Sequence, residues 1–234
     1  MSDLLIGDAL TILPSLGLDP VSTVAITDPP YNIGTPALIA DMRVPAGPNG
    51  HRLVGQDFGA AFDSAACGPE AWFPLMPNTV ISFYDARNID RLICAARAAG
   101  FEVVQDFHWC KTNPPVPMRS VGFAWGVESG YVFRRVGTKH AHNDAAGISP
   151  NWFQAPICGG HERLAHPTQK PLSVMKWLVN HFTMPDMTVL DPFCGVGTTL
   201  RAAKDLGRAF IGIEQKAEYV KLARMRLSQE VLFQ

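Results

Sequence analysis

Val189-Leu190-Asp191-Pro192-Phe193-Cys194-Gly195-Val196-Gly197-Thr198-Thr199 is the stretch that decides the fold. An apolar run ends on an acid and a proline, turns on two glycines, and continues as a helical pattern to Leu206. A strand that feeds through a glycine turn into a helix opens a βαβ unit. The rest of the unit follows directly: 209–213 is an apolar strand closed by Glu214, and a basic helical pattern then runs to about Leu227. Two glycines let the backbone come close to a ligand, and the helix N-terminus favours negative charge there. Leu200 stands where a dinucleotide fingerprint has its third glycine, while Thr198 and Thr199 offer hydroxyls that suit a carboxylate better than a pyrophosphate. Glu214, 17 residues after Gly197, occupies the usual place of a ribose-hydroxyl acceptor. A turn that binds nothing would need only the glycines; the acid favours a nucleoside ligand.

Outward from that unit the pattern repeats. Apolar runs at 3–6, 21–27, 79–84, 101–111, 129–135 and 187–190 predict strands. Helical patterns cover 9–16, 85–99 (stopped by Gly100) and 171–182 (with Pro171 at its start). Residues 34–69 are rich in Gly, Pro and Ala without a period and read as a long loop; 140–165 reads as irregular. Strands alternating with helices predict an α/β chain with a mainly parallel sheet. With no linker or repeat, the organisation expected is a single domain over 1–229 carrying a short insertion at about 112–165.

Composition bounds the rest. A chain of 234 residues buries about 70% of its unfolded surface and needs no staples. Its 47% hydrophobic and 18% charged residues exclude a disordered chain. No apolar run reaches 18 residues, so no transmembrane helix is expected. The early Asp3 and the lack of a basic start argue against a signal peptide. A net charge of -1 does not announce a nucleic-acid partner, though a local basic face would suffice for one. Cys67, Cys94, Cys110, Cys158 and Cys194 form no CxxC pair, so neither zinc nor disulfides are expected, and an odd count fits a cytoplasmic location. His140, His142, His161 and His166 match no zinc spacing, and no metal is expected. Glu230-Val231-Leu232-Phe233-Gln234 reads as the remnant of a protease-cleaved purification tag.

Thr27-Asp28-Pro29-Pro30-Tyr31-Asn32 follows the strand 21–27. The four-residue string 28–31 arises by chance in about one such chain in a thousand. Its chemistry suits an exocyclic amine on a base. Such an amine is a poor nucleophile because its lone pair is delocalised. Two acceptors aimed at its N–H groups would pull it toward sp3 geometry and stabilise the charge that develops on transfer. Asp28 offers a carboxylate, and the rigid Pro29-Pro30 pair fixes where the Pro29 carbonyl points. Tyr31 offers a face on which an extruded base can stack.

With both motifs present, the chain resembles the amino-group DNA methyltransferases that use S-adenosylmethionine, in the β-group order with Asp-Pro-Pro-Tyr before the glycine motif. Six blocks carry the resemblance. Gly7-Asp8, with Ala9, is similar to the third motif, on the cofactor's adenine side. Asp28-Pro29-Pro30-Tyr31 is similar to the catalytic fourth motif, and 109–114 with 128–133 to the stretch that shapes the base pocket. His166-Pro167-Thr168-Gln169-Lys170-Pro171 is similar to the tenth motif, which holds the cofactor's methionine end. Asp191, Pro192, Phe193, Cys194, Gly195, Gly197, Thr198 and Thr199 fall in the first motif and Glu214 in the second. Cys194-Gly195-Val196-Gly197 departs from the family's frequent Ala-Gly-Ser-Gly, and the insertion is shorter than in many relatives.

The resemblance implies a class I methyltransferase (Rossmann-like) fold: a seven-stranded, mostly parallel sheet with helices on both faces. It implies S-adenosylmethionine as cofactor, with His166, Thr168, Lys170 and Asp28 among its contacts. It implies DNA as partner, double-stranded, with the target base flipped out, and a homodimer. The reaction implied is direct in-line methyl transfer to adenine N6, since the Asp form of the motif goes with adenine more than the Ser form does. Cytosine N4, RNA adenine N6, and a non-enzymatic cofactor-binding module or inactive partner subunit are the alternatives. Lys111, Arg119, Arg134, Arg135 and Lys139 face only Glu128 within 111–139, an excess that predicts phosphate contact, with Asn32 and Asn113 beside it. Lys216, Lys221, Arg224 and Arg226 read as a solvated helix face, and Trp125 and Trp152 as candidates for DNA contact.

Overall fold

In the computed structural model the described residues are 2–31, 67–114, 123–162, 164 and 169–230. The loop expected at 34–69 therefore lies almost wholly outside them, as do 231–234.

Thr23–Thr27 and Thr79–Phe83 are buried at every position. Only strands covered on both faces read this way. In chain order the elements are β1 (Asp3–Ile6), α1 (Ala9–Ile12), β2 (Thr23–Thr27), α2 (Pro69–Trp72), β3 (Thr79–Phe83) and α3 (Ile89–Ala98). They continue with β4 (Phe101–Lys111), β5 (Val127–Arg135), β6 (Trp152–Ala155) and α4 (Leu172–Phe182). The last four are β7 (Thr188–Asp191), α5 (Thr198–Asp205), β8 (Ala209–Glu214) and α6 (Ala217–Ser228). Eight strands form one sheet in the order β1-β8-β7-β2-β3-β5-β4-β6. Every pairing is parallel except those of β5, which runs against both β3 and β4.

Alternate side chains of the central strands feed two separate cores. Val24, Ile26, Ile81, Phe83 and Val189 pack on one face with Val174, Met175, Leu178 and Val179 of α4 and Leu200, Ala202 and Ala203 of α5. Ala25, Val80, Leu190 and Ile213 pack on the other with Leu92, Ala95 and Ala96 of α3 and with Trp72 and Phe73. In α4 the buried positions 174, 175, 178, 179 and 182 make one apolar stripe at helical spacing.

The class I α/β architecture is as expected, with one more strand than the seven implied. The addition is β6, inside the region read as irregular; it pairs in parallel with the far end of β4 (His108↔Trp152 to Lys111↔Ala155). Four residues with no alternation carry little strand signal. Among the described residues no helix is long and apolar enough to cross a membrane.

Candidate active site

The chain leaves β2 toward β3 on one side and leaves β7 toward β8 on the other. Strand order reverses between β2 and β7, and in open α/β sheets that is where ligands bind, beyond the carboxyl ends of the strands. Both singled-out motifs start there. Thr27 ends β2 and Asp191 ends β7, and the Thr27 hydroxyl donates to Asp191 Oδ1 at 2.8 Å.

Asp28 begins the Asp-Pro-Pro-Tyr turn with its side chain 22% exposed. Its Oδ1 accepts a hydrogen bond from the Tyr31 hydroxyl, and its Oδ2 lies 2.5 Å from Lys170 Nζ. Lys170 Nζ is also 3.1 Å from Glu128 Oε2, and Glu128 Oε1 is 2.8 Å from Lys111 Nζ. Two carboxylates and two ammonium groups thus form one chain of alternating charge. Burial raises the Asp28 carboxyl above its ordinary value, against the pull of Lys170. Burial also works against Lys170's charge, but Asp28 and Glu128 outweigh it and keep the ammonium protonated. Glu128 is partly buried, which works against its charge, yet Lys170 and Lys111 hold it below the usual range. The turn is braced from outside: Asn88 Nδ2 donates to the Tyr31 carbonyl at 3.1 Å, and the Tyr31 ring meets Tyr84 edge-on at 5.4 Å.

On the other side of the switch point the glycine turn makes a cradle. Gly195 and Gly197 have φ of 51° and 75°, and a Cβ on Gly197 would lie 2.9 Å from the Ala223 Cβ of α6. Glycine is required by both conformation and space. Glu214 accepts from Gly195 N at 3.0 Å and Lys216 N at 2.7 Å, and burial raises its carboxyl against these bonds. Gly7 N donates to the Glu214 carbonyl at 3.0 Å, which sets Asp8 beside the end of β8, where it caps α1 through Leu10 N. The half-buried Phe193 supplies an apolar face next to these groups. Two acids, an aromatic face and a glycine turn are a donor set for a nucleoside with a ribose diol, and these residues fit a cofactor of that kind. Asp191 is held by Thr27, Thr199 and the Phe193 N–H, while burial pushes it up to about 6. Burial also pushes the Cys194 thiol far above its usual range, which disfavours the thiolate.

A family model described as DNA methylase matches residues 23–225. The chain belongs to the DNA methylase family. The chain is 34% identical over 169 residues to the type II methyltransferase M2.DpnII of Streptococcus pneumoniae, covering 67% of this chain and 63% of that one. It is 32% identical over 168 residues to the type II methyltransferase M2.LlaDCHI of Lactococcus lactis subsp. cremoris, covering 66% and 62%. The matches therefore span under two thirds of these relatives. Among solved structures, the M1.HpyAVI–SAM complex superposes with a TM-score of 0.74 at 26% identity, covering 98% of this chain and all of that one. The PvuII cytosine-N4-specific DNA methyltransferase superposes with a TM-score of 0.69 at 18% identity, over 99% and 88%, a likeness of fold.

Several sequence expectations change in the fold. Thr198 and Thr199 turn inward: the Thr198 hydroxyl accepts from Arg226 Nη1 at 2.5 Å, and Thr199 serves Asp191. The basic stretch 111–139 does not make one face. Lys111 sits at the site end of β4 on Glu128, whereas Arg134 and Arg135 pair with Thr79 and Phe101 at the opposite end of the sheet. There Arg134 meets Glu102 at 2.8 Å, and Arg135 donates to the Met76 carbonyl and stacks on Phe101. Lys139 follows them at that end, since Ala141 N bonds the Thr79 hydroxyl. The turn of direction in β5 separates what the sequence puts together. Asn113 Oδ1 accepts from Ile157 N at 2.8 Å, a structural bond between the two flanks of the insertion. Arg226, read as part of a solvated face, is buried. Asn32, Arg119, His166 and Thr168 lie outside the described residues. Trp125 and Trp152 are 58% and 47% exposed, unlike the buried Trp72 and Trp109. Among the described residues no group of three or more His, Cys, Asp or Glu could hold a metal ion. Glu128 is the residue whose part went unseen: it is the one acid within 111–139, and only the fold brings it to Lys170.

Proposed function

We propose that the methylase transfers the methyl group of S-adenosylmethionine to the N6 amine of an adenine flipped out of double-stranded DNA. The observation that carries this reading is the Asp28 carboxylate at the end of β2, one switch point away from the Gly195–Glu214 cradle. S-adenosylmethionine supplies an electrophilic methyl on a sulfonium. Glu214 would accept its ribose hydroxyls, Phe193 would pack on its adenine, and Asp8 would lie on the adenine side. Asp28 and the Pro29 carbonyl receive the two N–H groups of the target amine and turn its lone pair toward the methyl. This would stabilise the positive charge that grows on nitrogen as the C–N bond formed in line with the breaking C–S bond; the sulfur would leave as a neutral thioether, and the methylated amine would lose one N–H proton through the Asp28 carboxylate to solvent. No enzyme nucleophile is required, in keeping with the disfavoured Cys194 thiolate. Tyr31, braced by Tyr84, supports the base. A part-buried carboxylate cannot reach an amine inside a duplex, which favours extrusion. Adenine is favoured over cytosine by the aspartate at position 28. Residues 112–165 serve as the target-recognition insertion in the single domain 1–229, and two copies pair as a homodimer.

The test is transfer of labelled methyl from S-adenosylmethionine to mixed genomic DNA, read by nucleoside mass spectrometry. N6-methyladenine is expected. N4-methylcytosine would keep the mechanism and replace the base. No label in DNA with cofactor still bound would overturn the reading and point to RNA or to a missing partner subunit.

A further inference from the structure

In the free protein the Lys170 ammonium occupies the place the amine needs. Nζ lies 2.5 Å from Asp28 Oδ2, the carboxylate meant to receive an N–H of the substrate, and 3.4 Å from the Tyr31 hydroxyl. The side chain is 6% exposed and its Nζ is 5.0 Å from the centre of the Phe83 ring. An ammonium this deep cannot simply retreat to water, because a buried charge that loses its partner is strongly disfavoured. It already has a second partner, however: Glu128 Oε2 at 3.1 Å. A staple between β4 and β5 would need only the Lys111–Glu128 pair, so the Lys170 contact calls for another explanation.

We propose that Glu128 is a positioning residue for methyl transfer: it takes over the Lys170 ammonium when the substrate amine claims the Asp28 carboxylate. The shift exchanges one ion pair for another, and no charge is left alone. Lys170 thus serves as counter-ion to whichever carboxylate is not in use. The inference rests on the methyl-transfer reading above and assigns a new part to a residue on the base-pocket side of the same site.

The ionisable groups facing one another are Asp28 and Tyr31 after β2, Asp191 ending β7, Lys111 on β4, Glu128 on β5 and Lys170 before α4. Among them, burial raises Asp28, Lys170 lowers it and Glu128 raises it. The acid limb of kcat/KM reports such a group in the free enzyme. E128Q keeps the shape of the side chain and removes its charge, so Lys170 stays on Asp28. The expected result is a 10- to 100-fold lower kcat/KM for DNA, on the order of one or two factors of ten in competition for the carboxylate, with cofactor affinity unchanged. Its acid limb moves to lower pH, because Asp28 has lost a like-charged neighbour. K170M moves the limb to higher pH, because burial and Glu128 are then opposed only by the Tyr31 hydrogen bond. E128D, which keeps the charge, recovers most of the rate. E128Q within twofold of the unsubstituted protein, limbs that move in the same direction, or E128D as impaired as E128Q would overturn the inference. If the unsubstituted protein transfers no methyl to DNA, the underlying reading falls instead, and the two failures stay distinct.

Discussion

Asp28 and Asp191 end neighbouring strands, and their partners separate their roles. Asp28 faces an ammonium, whereas Asp191 is held by two hydroxyls and a backbone N–H. Asp28→Ala removes an acceptor that acts on charge developing in the transition state. Turnover should fall by about 10²–10³-fold or more while cofactor affinity, measured by calorimetry, changes little. Lost cofactor binding would instead make Asp28 a binding residue. Asp191 affects stability. Its carboxyl binds a proton more tightly folded (about 6) than at its ordinary value of 3.8. Its contribution is therefore complete below about pH 4 and lost as pH rises through about 6, a difference of about 3 kcal/mol. Asp191→Asn keeps an acceptor for Thr27 and Phe193 without a charge to bury. Urea unfolding should find it more stable than the parent at pH 7.5, with the gap closing toward pH 4; a gap independent of pH would rule out the charge as its cause. Both residues were legible in the sequence because each ends an apolar run beside proline. Glu128 was not, since its bond to Lys170 spans 42 positions and depends on a strand direction no local pattern encodes.

At the level of elements, the strands at 3–6, 79–84 and 101–111 were legible because each is an apolar run with clear stops. Short pieces were not. Pro69–Trp72 and Trp152–Ala155 are four residues each and owe their shape to what they pack on. The reversal of β5 was equally hidden, and with it the splitting of the basic stretch between two ends of the sheet. Helix α4 shows how an element depends on a distant residue. Pro171 at its N-cap makes no side-chain cap bond; Glu162 Oε1 accepts from Leu172 N at 2.7 Å in its place. The Glu162 carbonyl also receives Gln169 Nε2 at 2.8 Å. Glu162→Ala should cost about 1 kcal/mol, or about 2–4 °C in Tm, through the lost cap. Lys170 stands two residues before Leu172 and pairs with Asp28, so loosening this end of the helix should also raise KM for DNA. An unchanged Tm in a thermal melt would show that water replaces the cap.

For the whole molecule, the sheet order joins early and late parts of the chain. β1 pairs with β8 and β2 with β7, so the catalytic turn and the glycine cradle meet only across these long-range contacts. This has a consequence during synthesis on the ribosome. About 160 residues separate Thr27 from Thr188. At about 5–20 residues per second, β2 waits roughly 8–30 s for its neighbour on that side. During that interval a strand destined for full burial has an open edge, a surface on which nascent chains stick to one another. The same delay keeps the two halves of the switch point apart, so a growing chain stays without its site until residues 188–214 have been made.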